Sequence, residues 1–327
     1  MIMILFLKFF ILMNLLMFTF SSLFISDLMI IWFFMEIMNF LFIYMLNITM
    51  KNKKMIFFYF FTQIIPSFII IYTLILNNLF MINNLFYMSI MFALMMKLSI
   101  PPFHLWLPMI SKHLNWQTLL TLLTIMKITP FYLMSMIYIN SLLILFIITS
   151  CSIIPPLMLI NTNNFKMILS YSSINQTGWM ILLISLKNII WLKYFLFYSF
   201  ILMSLFYIIN HFKLFINHSN NNMKINYNLL NILFIFNMAS MPPFSFFYMK
   251  WFSIFMTLYN SNYFTIMIIL MLSSLLMLFI YTNMFIHSMF LFKFKSKLLH
   301  FSYHYLSNKL ISFFYSSLFM SLILLII

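Results

Sequence analysis

The sequence predicts an all-α, polytopic membrane protein of about eleven transmembrane helices, and three observations carry that expectation. Hydrophobic residues make up 65% of the 327 and charged residues only 6%. Mean hydropathy is +1.10, far above the balance of a soluble domain. Apolar stretches of roughly 20 residues, the length that crosses a bilayer core as a helix, recur from one end of the chain to the other. Lipid offers no partner to backbone N–H and C=O groups, so such stretches close their hydrogen bonds internally as helices.

In chain order, the expected spans are 2–23, 28–47, 55–76, 80–100, 117–138, 142–160, 167–186, 190–210, 229–258 with an internal break, 262–286 and 310–327. Met1 reads as the mature start, because no small-residue cleavage site follows the first apolar run. Asp27 stands at the edge of the second span, where an acid serves as an interfacial or capping residue. Polar breaks rich in Asn and Lys separate the spans. The segment 287–309 mixes Lys, His and aromatic residues and reads equally as an interfacial amphipathic helix or a loop. The whole chain is expected to form a single membrane domain, with halves at about 25–138 and 142–258 and C-terminal helices over 262–327.

Charge supports this order. With the N-terminus inside, twelve lysines (Lys8, Lys51, Lys53, Lys54, Lys112, Lys166, Lys213, Lys224, Lys293, Lys295, Lys297 and Lys309) fall at inner ends or loops, against Lys187 and Lys193 outside. That positive-inside bias predicts an inner N-terminus and an outer C-terminus. The net charge of +15 is then a matter of topology and implies no nucleic acid, since the lysines are scattered over short loops.

All 17 basic residues are lysine, glycine occurs once (Gly178), and Met and Phe number 34 and 45. Amino acids with GC-rich codons are scarce, as expected of an AT-rich organelle genome that also reads AUA as Met, with an AT-rich nuclear or bacterial gene as the alternative. Cys151 is the sole cysteine and packs as a small side chain. The seven histidines (His104, His113, His211, His218, His287, His300 and His304) are scattered, with no carboxylate or cysteine nearby to complete a metal site. Without a Gly-rich nucleotide loop, a cysteine cluster or a catalytic triad, the chain is expected to carry no cofactor and no redox chemistry of its own.

The pentapeptide Ser99-Ile-Pro-Pro-Phe103 returns 141 residues later as Ser240-Met-Pro-Pro-Phe244. Pro101–Pro102 and Pro242–Pro243 remove backbone donors and clash with the preceding turn, so each pair should break a helix at membrane depth. Paired interrupted helices point to an ion path in repeat-built transporters. Beside the breaks lie Lys97 and Lys250, and Lys127 falls mid-span, with Glu36 as the one deep acid. A charge at the bilayer centre costs about 2.5–3.5 kcal/mol, so four such residues call for a reason. One carboxylate cannot neutralise three ammonium groups, and a lysine left in apolar surroundings is suited to taking up and releasing a proton.

MKLSIPPFHLWLP (Met96–Pro108), LNWQTLLTLLTIMKITP (Leu114–Pro130), NFKMILSYSSINQTGWM (Asn164–Met180) and SMPPFSFFYMKW (Ser240–Trp251) together resemble the antiporter-like, proton-translocating membrane subunits of respiratory NADH:ubiquinone oxidoreductase. With Glu36 they cover about 30 to 255. The resemblance implies two inverted five-helix repeats containing the broken helices. It implies a relay in which Glu36 pairs with Lys97, Lys127 is the central carrier and Lys250 lies towards the exit. It also implies that FMN, iron–sulfur clusters and ubiquinone belong to other subunits, with neighbouring antiporter-like subunits and lipids such as cardiolipin as partners, in the mitochondrial inner membrane. The chain departs from the family at Ser99 and Ser240, usually Gly, at Phe246, at Gln176 or Thr177 where a histidine is common, and at Met109, often acidic. Two rivals remain: a stand-alone cation/proton antiporter that shares the relay, and a structural subunit whose buried charges fix helix packing.

Overall fold

The computed structural model describes residues 2–80, 83–137, 140–162, 164–186, 190–211, 225–258 and 264–295, with 315, 316 and 318. Within them the chain is helical and has no strand. Among the described residues, seven helical stretches are long and apolar enough to cross a membrane. The protein is a multi-pass membrane protein. It divides into two compact units, Met1–Cys151 and Ser152–Ile327.

The first unit contains α1 (Ile2–Leu23), α2 (Leu28–Thr49), α3 (Lys53–Phe80), α4 (Asn83–Lys97), α5 (Trp106–Ser111), α6 (Trp116–Leu123) and α7 (Ile125–Met136). α8 (Ser141–Leu159) runs across the boundary between the units. α2 packs between α1 and α3, and α7 lies against α1, α2 and α4. The inward stripe of α2 (Ile31, Met35, Met38, Phe42, Met45) is buried at helical spacing. Its outward side chains Phe33 and Phe40, like Phe6, Phe9 and Phe20 of α1, are exposed. An apolar outer surface of this extent suits lipid rather than water. Asp27 is the N-cap residue of α2 through its backbone: its carbonyl accepts the Ile31 N–H at 3.1 Å, while its side chain makes no cap bond.

The span expected at 117–138 is two helices. Thr124, at φ −115° and ψ −82°, separates α6 from α7, and its hydroxyl donates to the Leu120 carbonyl at 2.7 Å. Proline patterning alone did not predict this third interruption. Inside α7, Pro130 has no N–H to return to the Met126 carbonyl, so the helix carrying Lys127 is weakened on both sides of the lysine.

The second unit contains α9 (Phe165–Ser185), α10 (Ile190–His211), α11 (Ile225–Met238), α12 (Ser245–Leu258) and α13 (Phe264–Lys295). α9 packs on α10, α12 and α13, and α11 on the same three. The polar run Ser170–Gly178 makes α9 unusual, because every residue in it is buried. Its hydroxyls return to the chain: Ser170, Ser172, Ser173 and Thr177 donate to carbonyls three residues earlier. Its amides reach neighbours, with Gln176 accepting the Tyr194 hydroxyl on α10 and Asn175 accepting the Ser273 hydroxyl on α13 at 3.3 Å. The stretch 287–295 continues α13 rather than forming a loop, whereas 296–309 and most of the span expected at 310–327 lie outside the described residues.

Candidate functional site

Both proline pairs interrupt the helix as expected, and the two breaks share one geometry. After α4, Ile100 N–H bonds the Met95 carbonyl at 2.9 Å and Leu98 N–H the Leu94 carbonyl at 2.9 Å. After α11, Met241 N–H bonds the Phe236 carbonyl at 3.2 Å and Ala239 N–H the Ile235 carbonyl at 3.0 Å. The residue that turns the chain is Ser99 at φ 56° and Ser240 at φ 58°, and Pro101–Pro102 and Pro242–Pro243 are joined by cis bonds. This is a helix-ending motif of the Schellman type. The left-handed region favours glycine and costs another residue about 1–2 kcal/mol. Serine occupies it twice.

Carbonyls released by the breaks find donors. Trp106 Nε1 donates to the Met96 carbonyl at 3.0 Å, and the Ser150 hydroxyl is shared between the Ile147 carbonyl at 2.9 Å and the Pro101 carbonyl at 3.4 Å. At the second break Asn237 Oδ1 accepts the Phe246 N–H at 3.0 Å and the Ser245 hydroxyl at 3.1 Å, so its side chain caps the start of α12. Buried irregular backbone persists in a membrane protein when such partners exist.

In the first unit Glu36 and Lys97 form an ion pair at 2.9 Å, with side-chain exposures of 14% and 2%. Asn39, one turn along α2, donates to the same carboxylate oxygen at 3.3 Å. Lys97 and Lys127 then line one cavity together with Asn39, Tyr59, Gln63 and Thr129. The space there for water centres is about 20 Å³, enough to hold a water molecule. Three of the four residues read as a relay are thereby brought together by α2, α4 and α7. Lys250 lies in the second unit, on α12. It is buried, donates from Nζ to Ser240 Oγ at 2.7 Å, and stands 5.7 Å from the centre of the Trp179 ring.

Sequence reasoning missed Asn39, Tyr59, Gln63 and Ser240. A signal existed for two of them: Asn39 follows Glu36 by three, on the same helix face, and Gln63 is a lone amide in an apolar span. Of the histidines, His104 sits at the first break, its Nδ1 3.3 Å from the Pro102 carbonyl. His218, His300 and His304 lie outside the described residues. Among the described residues, no group of three His, Cys, Asp or Glu is placed to hold a metal.

Residues 25–277 match the model of the NADH:quinone oxidoreductase/Mrp antiporter transmembrane family. The chain belongs to that family. Chain 2 of NADH-ubiquinone oxidoreductase from Rhipicephalus sanguineus is 34% identical over 257 residues, covering 77% of this chain and 80% of the relative. The same-named protein of Anopheles gambiae is 32% identical over 202 residues, covering 59% of each. The chain thus spans less than two thirds of the length of several curated relatives in this antiporter-like family. A chain of respiratory complex I from Thermus thermophilus with bound aureothin shares the fold at a TM-score of 0.81, with 13% identity over 98% of this chain and 78% of that one. A chain of the Mrp complex from Dietzia does so at 0.73, with 16% identity over 83% of this chain and 59% of that one.

Proposed function

We propose that this chain is a core membrane subunit of proton-pumping NADH:ubiquinone oxidoreductase in the mitochondrial inner membrane, where it moves protons through Glu36, Lys97, Lys127 and Lys250. One observation carries the reading: Lys97, ion-paired to Glu36, and Lys127, both buried, border a single cavity with room for water. A purely structural charge pair has no need of a neighbouring lysine and a water-sized space between helices. Protonation of Glu36 loosens its hold on the Lys97 ammonium. With Glu36 neutral, Lys97 gives a proton through cavity water to the neutral Lys127 amine, the Glu36 proton then moves to Lys97 and restores the pair, and Lys250, beside the second break, is the exit-side carrier.

Quinone reduction, FMN and iron–sulfur chemistry belong to other subunits in this reading, and the chain contributes proton movement alone. Other antiporter-like membrane subunits and lipids such as cardiolipin are its neighbours. The N-terminus faces the matrix and the C-terminus the intermembrane space.

The deciding substitution is Lys127→Met, which keeps the volume and removes the proton-carrying amine. The assembled complex is expected to oxidise NADH with proton movement through this subunit abolished, measured as protons translocated per NADH in sealed vesicles. Normal pumping by the assembled variant would sink the relay, and failure to assemble in both Lys127→Met and Glu36→Gln would favour a structural role. Proton–cation exchange by the chain alone in liposomes would favour a stand-alone antiporter.

A further inference from the structure

We propose that Ser240 is a positioning residue for Lys250, holding the ammonium at the second helix break through its side-chain oxygen; this rests on the reading of Lys250 as a proton carrier.

The two breaks supply their own comparison. Ser99 and Ser240 take the same left-handed backbone conformation, at φ 56° and 58°, and each donates its hydroxyl hydrogen to the carbonyl of the preceding residue, Leu98 or Ala239. A glycine-poor chain puts serine at both turns, so the backbone gives neither serine a reason to be preferred to glycine. Their surroundings differ. At the first break Lys97 turns to Glu36. At the second, Lys250 reaches back ten residues from α12 and donates to Ser240 Oγ at 2.7 Å.

The direction of that bond is fixed. Ser240 has a single hydrogen, already committed to the Ala239 carbonyl at 2.6 Å, so its lone pair faces Lys250. A short N–H···O contact of this kind is strongest when the nitrogen is charged. The Trp179 ring, 5.7 Å from Nζ, favours a cation at the same point. Both contacts are buried: Lys250, Ser240 and Trp179 have little solvent exposure. When the lysine gives up its proton, the Ser240 hydroxyl can rotate away from Ala239 and donate to the neutral amine. One side chain therefore holds the carrier in both states and keeps its nitrogen at the break.

The test compares Ser240→Gly with Ser99→Gly in the assembled complex, reading protons translocated per NADH oxidised in sealed vesicles. Glycine suits both turns, so a merely structural serine predicts wild-type pumping from both variants. The positioning role predicts wild-type pumping from Ser99→Gly and about a tenfold loss from Ser240→Gly, the scale of one hydrogen bond to a charged group. Ser240→Asn, which tolerates the left-handed turn and restores an oxygen acceptor, is expected to recover pumping. Wild-type pumping by Ser240→Gly overturns the proposal, as does a loss that Ser240→Asn leaves unrepaired. Lys250→Met separates the two ideas: if it pumps normally, the carrier reading itself fails, whereas if it is dead and Ser240→Gly is normal, only the positioning role falls.

Discussion

Glu36 and Lys97 are 2.9 Å apart, the lysine buried and the acid largely so, and they cancel each other's charge within the first unit. Removing one partner of such a pair strands the other, at a cost of about 3–5 kcal/mol, whereas removing both together is far milder. Glu36→Gln alone should therefore lower the thermal stability and yield of the assembled complex, and Glu36→Gln combined with Lys97→Met should recover both without restoring proton pumping. A melting profile of the purified complex beside a pumping assay checks the two halves separately. The four ionisable residues were legible in the sequence because charge inside an apolar span is conspicuous. Ser240 was not, since a serine next to two prolines looks like ordinary turn chemistry until the reach of Lys250 is known.

Among the helices of the first unit, packing is left incomplete at the cavity beside Lys97 and Lys127. Its walls come from α2, α3, α4, α5, α6 and α7, and its polar lining includes Gln63 of α3 and Asn39 of α2. A buried space of this size holds water only with polar partners to bind it. Gln63→Leu keeps the volume and takes one partner away, so it should slow proton movement several-fold while leaving assembly and NADH oxidation nearly intact. Pumping rate against turnover in vesicles separates that outcome from a general loss of activity. The sequence made the proline breaks plain, because tandem proline has one local meaning, and it marked most helix ends to within a few residues. It did not reveal the interruption at Thr124, whose only local cause is a threonine after a leucine-rich turn. Nor did it suggest the full burial of the polar helix α9, because burial depends on helices far along the chain.

For the molecule as a whole, the proposed orientation puts Lys51 and the first turn of α3, with Lys53 and Lys54, on the matrix side, and these side chains are exposed. Cys151, the only native cysteine, is buried and should resist labelling. With Lys53→Cys, a membrane-impermeant maleimide is expected to react in inside-out vesicles and to fail in sealed right-side-out ones. The reverse pattern would invert the topology and, with it, the direction assigned to the relay. A membrane under load also exerts a force on any charge that moves through it, about 2.3 kcal/mol per elementary charge for each 100 mV. A contact pair such as Glu36–Lys97 is nearly neutral as a unit, so at rest the field has little purchase on it. Net charge travels when a proton enters the pair at Glu36 and again when one leaves it from Lys97. In the proposed relay that makes the pair a ratchet tooth: back-pressure from a charged membrane acts on the steps of proton uptake and release, and the resting pair stays largely insensitive to the voltage.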